Sequence, residues 1–187
     1  MKILTGKLKG RSIVFKPNPH LRPTADKVRQ ALFNMLQGEI EGKNVLDLFS
    51  GTGALGLEAL SQEAAFVTFV ESDKMQLKKI RESLEAFGLA DQARTVCADG
   101  IEAIKNLAQD GQFFDLIFID PPYDEGLGQR ALSALAISKI LHEDTLIILE
   151  SRKREDFPKV VGKLARIREN RYGDTKISFY KLAQNTP

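Results

Sequence analysis

Asp120-Pro121-Pro122-Tyr123 places an acid, two prolines and an aromatic directly behind the nearly unbroken apolar run 113–119. Such a run reads as a strand buried on both faces, as in a parallel sheet. Ligands of open α/β sheets sit at the carboxyl edge, where this tetrapeptide leaves the strand. Proline has no backbone N–H and a nearly fixed φ, so Pro121 and Pro122 hold the turn in a narrow range of shapes. The carboxylate of Asp120 and the carbonyl of Pro121 can then be aimed together at one amino group, and Tyr123 can lie flat against a base. An aromatic NH2 is a poor nucleophile because its lone pair is delocalised into the ring. Two fixed acceptors on its N–H groups oppose that delocalisation and favour a tetrahedral nitrogen able to attack a methyl group in line. The catalysis is positioning plus stabilisation of developing positive charge. A tight turn with an exposed Asp would show the same four residues.

A second constellation, Asp47-Leu48-Phe49-Ser50-Gly51-Thr52-Gly53-Ala54-Leu55-Gly56, follows another apolar run and opens a helix. Glycines let the backbone approach a ligand closely, and a helix start offers free N–H groups. Gly51, Gly53 and Gly56 also satisfy a dinucleotide fingerprint, with Glu71 twenty residues after Gly51. Two features favour a methyl donor over NAD. Asp47 would repel a pyrophosphate but suits the ammonium of a methionine moiety, and no second domain is visible to hold a dehydrogenase substrate. Glu71 can accept both ribose hydroxyls. Asp99 can take an adenine amino group, with Gly100 or Ile101 offering an N–H, or it can simply cap a helix. Thr24, Phe49, Ser72 and Asp120 complete the candidate cofactor contacts.

These residues need a scaffold that gathers strand ends. Runs at 44–49, 65–71, 94–98, 113–119 and 145–150 read as strands, alternating with helices at 54–60, 73–87, 100–109 and 127–137. That alternation predicts a doubly wound parallel sheet. Two antiparallel strands, 163–171 and 175–182, finish a seven-stranded sheet. Residues 2–5 and 11–15 alternate across a Gly- and Lys-rich link and predict a β-hairpin. Thr24 reads as the N-cap of a helix from Ala25 to Leu36.

The 187 residues suffice for one domain with a sizeable core. No apolar run approaches the roughly 18 residues of a membrane span, and the N-terminus lacks a signal-peptide core, so cytoplasm is the expected compartment. The single cysteine, Cys97, excludes an intrachain disulfide and is expected in the core. No His/Cys/Asp cluster suggests a metal. His20 and His142 fall in expected loops. Net charge is +2, unevenly spread: residues 1–30 carry eight Lys/Arg against one acid, and residues 151–187 ten against four. Basic ends flanking an acidic centre suggest a polyanion laid across the ends. Lys7, Lys9, Arg11, Arg22 and Arg29 are the candidate phosphate contacts.

Together these segments resemble the RsmD family, bacterial 16S rRNA (guanine-N2)-methyltransferases. The resemblance runs from Gly10-Arg11 through Leu21–Asn34, Asp47–Leu60 and Glu71-Ser72-Asp73 to Asp120–Tyr123. Arg22–Asn34 and Gly53–Leu60 are its most specific parts, while Asp-Pro-Pro-Tyr alone is shared with adenine-N6 DNA methyltransferases. It implies a single Rossmann-like methyltransferase domain over 1–187, with a basic hairpin extension at 1–20 and the core at 21–187. It implies S-adenosylmethionine as donor and a guanine of small-subunit rRNA as acceptor. By motif match, Asp47, Gly51 and Gly53 serve the methionine end, Glu71 the ribose, and Asp120, Pro121 and Tyr123 the base. Ser50-Gly51-Thr52 stands where Ala-Gly-Ser is frequent. An adenine-N6 DNA methyltransferase, a non-catalytic rRNA-binding assembly factor and an NAD-dependent oxidoreductase are the competing readings.

Overall fold

In the computed structural model, β1 (Asn44–Leu48) lies between β2 (Phe66–Glu71) and β4 (Phe114–Ile119), parallel to both. The structure describes residues 1–15, 23–122 and 126–183, with the backbone alone at 23–25. Strands β3 (Ala93–Cys97) and β5 (Leu141–Arg152) extend the parallel sheet on either side. Beyond β5, the antiparallel strands β8 (Thr175–Leu182), β7 (Leu164–Tyr172) and β6 (Val160–Val161) complete the order β3-β2-β1-β4-β5-β8-β7-β6. Strand order reverses between β1 and β4, which opens a crevice at their carboxyl ends. The two candidate loops leave from those two strands.

Helices cover both faces, which is why the central strands are mostly apolar: Val67, Phe69 and Val70 of β2 are fully buried. One face is covered by α1 (Pro23–Met35), α2 (Ala54–Ser61) and α3 (Lys74–Phe87), through Leu32, Phe33, Leu57, Leu77 and Ile80. The other is covered by α4 (Gly100–Gln109) and α5 (Leu127–Ala136), through Ile104, Leu107, Leu132 and Leu135. Local signals set the helix ends. Asp73 caps α3 by accepting from the Met75 N–H, and Gly88 ends it in the left-handed region.

The structure corrects several boundaries. Among the described residues the sheet has eight strands rather than seven, because the two-residue β6 is too short to leave a periodic signal. Strand β5 begins at Leu141, so His142 lies in a strand, 3.2 Å from Asp115 Oδ1. Helix α1 begins at Pro23, whose lost N–H costs nothing at a first helical position. Thr24 therefore lies within the first turn instead of capping it. Cys97 is exposed at the end of β3, not in the core, because β3 is an edge strand. The expected hairpin is present as a short antiparallel pairing about the Lys2–Ser12 bridge, with Ile3 N–H donating to the Arg11 carbonyl at 2.9 Å, Gly10 N–H to the Ile3 carbonyl at 2.8 Å and Ile13 N–H to the Met1 carbonyl at 3.1 Å, and with Ile3 and Ile13 buried beneath it. The segment also lends backbone groups to α2, with the Lys7 N–H on the Ser61 carbonyl and the Leu4 and Thr5 N–H groups on Glu58. Gly6 has φ +72°, and a Cβ there would stand 2.0 Å from the Ser61 carbonyl oxygen. Only glycine permits that approach.

Candidate active site

The site is built from strand ends. Asp47, the penultimate residue of β1, is 1% exposed, and its Oδ2 accepts the Gly56 N–H at 2.9 Å. Gly56 has to be glycine, since a Cβ would lie 2.2 Å from the Phe69 ring and 3.0 Å from Asp47 Oδ2. Burial raises the Asp47 carboxyl from 3.8 to about 7, against the opposing Gly56 N–H and with a further push from Glu71. A buried carboxylate with an N–H but, among the described residues, no cation paired to it invites a positive ligand group.

The loop between β1 and α2 is pinned from several sides. Phe49 adopts the left-handed region at φ 64, a strained setting for an aromatic residue. Its ring lies where a Cβ on Gly100 would be, at 2.5 Å, so the loop is wedged against the start of α4. Ser50 donates its N–H to the Val70 carbonyl at 2.8 Å and its hydroxyl to the Asp47 carbonyl at 2.6 Å. Gly51 has φ +52° with open space on its Cβ side, and Gly53, φ +74°, sits at the N-cap of α2 against Ile80. Glu71 braces the loop from β2. Its Oε2 accepts the Gly51 N–H at 2.8 Å, and its Oε1 accepts the Asp73 N–H at 2.9 Å and the Ser72 hydroxyl at 3.2 Å. Asp99 caps α4, accepting from the Ile101 and Glu102 N–H groups through Oδ1 at 2.9 and 3.2 Å. The exposed Cys97 thiol points at the Ser72 carbonyl, 3.7 Å away.

Asp120 follows Ile119 at the end of β4, with Pro121 buried and Pro122 exposed behind it. Its carboxyl is raised well above the carboxylate range, first by burial, then by the charges of Glu150 and Asp47. The Asp47 and Asp120 carboxylates thus share the switch point, one on each side of the crevice. Tyr123 lies outside the described residues.

This donor set fits a cationic ligand and not a pyrophosphate. The Gly56 N–H, which a phosphate would need at the helix start, is already taken by a carboxylate. Asp47, Glu71, Asp99 and Asp120 all stand at the same sheet edge. Such a row suits the ammonium, sulfonium, ribose and adenine of S-adenosylmethionine. Among the described residues no His/Cys/Asp/Glu cluster could hold a metal ion.

The candidate phosphate contacts divide. Lys7 pairs with Glu63 at 2.5 Å, and Arg11 donates to the Ala86 carbonyl with its guanidinium 4.5 Å from the Phe87 ring centroid, yet both stay exposed. Lys9 is exposed beside them, and Arg22 lies outside the described residues. Arg29 is a correction: it is 6% exposed and serves the interior. Its Nε is 3.3 Å from Glu58 Oε1, and its Nη2 donates to the Lys2 carbonyl at 2.8 Å. Its Nη1 also touches the Met1 sulfur, which reaches Thr52 Oγ1 at 4.0 Å.

Sequence reasoning passed over Glu58. Fully buried, it accepts the Leu4 N–H at 2.6 Å, the Thr5 N–H at 3.1 Å and the Thr5 hydroxyl at 2.8 Å. The available signal was an acid inside the apolar stretch Leu57–Leu60. Glu150 was also passed over, although it ends an apolar strand as Asp120 and Glu71 nearly do.

Residues 1–181 match the model of the family described as conserved hypothetical protein 95. The ribosomal RNA small subunit methyltransferase D of Escherichia coli K12 is 35% identical over 181 residues, covering 97% of this chain and 89% of that one. Its Haemophilus influenzae counterpart is 33% identical over 186 residues, covering 99% and 94%. The solved structure of yhhF from Escherichia coli superposes with a TM-score of 0.84 at 33% identity, covering 97% of each chain. A match of this extent, over the same residues that build the crevice, places the chain in the conserved hypothetical protein 95 family, the RsmD family.

Proposed function

We propose that the protein transfers a methyl group from S-adenosylmethionine to the exocyclic N2 of a guanine in 16S rRNA. The observation that carries this reading is the pair of strand-end carboxylates at the switch point. Asp47 spends itself on the helix-start N–H, and Asp120 is backed by the rigid Pro121-Pro122 turn. S-adenosylmethionine supplies an electrophilic methyl on a sulfonium. Asp47 takes the ammonium of its methionine end, and Glu71 takes the ribose with lone pairs its loop contacts leave over. Phe49 and Asp99 bound the adenine end.

On the acceptor side, Asp120 and the Pro121 carbonyl accept the two N2–H bonds. That draws the nitrogen lone pair out of the ring and aims it at the methyl carbon. The N2–methyl bond forms as the sulfur–methyl bond breaks, and the bonding pair returns to sulfur. The nitrogen then sheds one proton. A raised carboxyl such as Asp120 is a competent base once a cation beside it restores its charge. The base has to leave its stack to enter, and Tyr123 would hold it by stacking, worth about 1–3 kcal/mol. We place the substrate in the small subunit or an assembly intermediate, and the enzyme in the cytoplasm. No helix among the described residues is long and apolar enough to cross a membrane.

Asp120→Ala tests the assignment. Labelled methyl transfer to rRNA should fall by roughly 10²–10⁴, while calorimetric affinity for S-adenosylmethionine stays within about tenfold. Loss of cofactor binding with the catalytic step intact would overturn the role given to Asp120. The adenine-N6 alternative uses the same acceptors, so this variant does not separate the two bases.

A further inference from the structure

The pairing of β4 with β5 puts a second carboxylate beside the reacting one. Ile119 pairs with Leu149, so Asp120 and Glu150 are the next residues along two adjacent parallel strands. Side chains alternate along a strand, and Phe118 and Ile148 both point to the face covered by α1. Asp120 and Glu150 therefore project to that same face, side by side at the carboxyl edge. Neighbouring parallel strands lie about 4.8 Å apart, near enough for two such side chains to converge on adjacent groups of one base edge. The negative charge of Glu150 acts on Asp120 across that gap, as does Asp47 from β1. Glu150 is half-buried and stands on the side of Asp120 away from β1, β2 and β3, where the cofactor contacts are. It thus faces the acceptor and not the donor.

We infer that Glu150 is a specificity-determining residue that accepts the N1–H of the target guanine while Asp120 accepts N2–H. The inference rests on the reading of the site as an amino-group methyltransferase and adds the basis on which it chooses its base. The Watson–Crick edge of guanine offers two adjacent donors, N1–H and N2–H. That of adenine offers one donor, N6–H, beside an N1 lone pair. Two carboxylates in a row match the first pattern. They set an oxygen against a nitrogen lone pair in the second, which costs a hydrogen bond and adds repulsion. A site built to bond a substrate N–H rejects the analogue that lacks it far more strongly than an apolar pocket rejects a missing methylene.

The test uses an RNA fragment carrying the methylated guanine, and the same fragment with 2-aminopurine at that position. 2-Aminopurine keeps the N2 amino group but has a lone pair at N1. The wild-type enzyme should methylate it with kcat/KM lower by about a hundredfold or more. In Glu150→Gln the guanine substrate should fall by about tenfold or more, while the 2-aminopurine substrate gains, because the glutamine NH2 can donate to its N1. The preference for guanine should shrink to within about tenfold. A purely structural role for Glu150 would lower both substrates together and leave their ratio unchanged, and that result overturns the inference. If Glu150→Gln does not fold, by its thermal transition and cofactor affinity, the wild-type ratio still decides. Equal use of guanine and 2-aminopurine would refute a bonded N1–H. Failure of the wild type to methylate any guanine would instead remove the reading of the site on which the inference stands.

Discussion

In the proposed function Asp47 serves binding at the expense of stability. Its carboxyl is raised from 3.8 to about 7 in the folded protein, chiefly by burial. An acid raised on folding binds its proton more tightly in the native state. The contribution of Asp47 to the stability of the cofactor-free protein is therefore fully present below about pH 4 and is lost as pH climbs from about 4 to about 7, by up to about 4 kcal/mol. A bound cation works the other way, so affinity for S-adenosylmethionine should rise as pH passes upward through about 7, with release of a proton. Asp47→Asn should raise the melting temperature of the free protein at about pH 8 and flatten its decline between about pH 4 and 7. The same variant should weaken cofactor binding by about a hundredfold or more. An unchanged pH slope of stability in the variant would contradict this account of the carboxyl. Asp47 was legible in sequence because it stands at a strand end before a glycine loop. Its contact with the Gly56 N–H was not, since it depends on how closely α2 packs on β2.

At the scale of elements, α2 does two tasks. Its first turn receives Asp47, and its buried Glu58 holds the N-terminal segment through Leu4, Thr5 and Arg29. Ser61 adds to the clasp, its hydroxyl donating to the Thr5 carbonyl at 2.5 Å and accepting the Leu8 N–H at 2.9 Å. Removing one partner of a buried ion pair typically costs about 3–5 kcal/mol. Glu58→Gln keeps the shape and should cost toward the low end of that range. Amide exchange of Ile3, Lys7 and Ile13 should rise by more than that of β1 and β4. Equal protection across both regions would show that Glu58 does not set the docking of the segment. The alternation of strands and helices was readable because buried parallel strands have no polar face to blur them. Arg29 was misread because a run of basic residues signals surface until its partners are known. The partner of Arg29, Glu58, lies 29 residues downstream in another helix.

Across the whole molecule, the proposed function divides the work of binding between the acidic crevice and the basic N-terminal segment. The crevice suits a cation and an amino-group edge, and the segment suits phosphates. With Arg29 withdrawn to the interior, Lys7, Lys9 and Arg11 are the exposed candidate contacts among the described residues. Reversing all three charges should weaken RNA binding and reduce the slope of log affinity against log salt by up to about 3, at roughly 0.7–0.9 per phosphate contact. Because Lys7 and Arg11 also make internal contacts, cofactor affinity serves as the control for folding. An unchanged slope would take the segment out of the RNA interface. The family resemblance was visible in the loop and helix motifs, where function constrains residue types directly. The antiparallel end of the sheet, β6 to β8, carries no such motif, and its strand count emerged only from the fold.

The most direct test of the central claim is to identify the modified nucleoside. The protein would be incubated with labelled S-adenosylmethionine and either naked 16S rRNA or 30S subunits lacking this methylation, and the digested nucleosides resolved by mass spectrometry. N2-methylguanosine at a single site is the predicted result, and the better substrate shows when in assembly the enzyme acts. Label in any other nucleoside, or cofactor bound with no transfer to either substrate, would contradict the account.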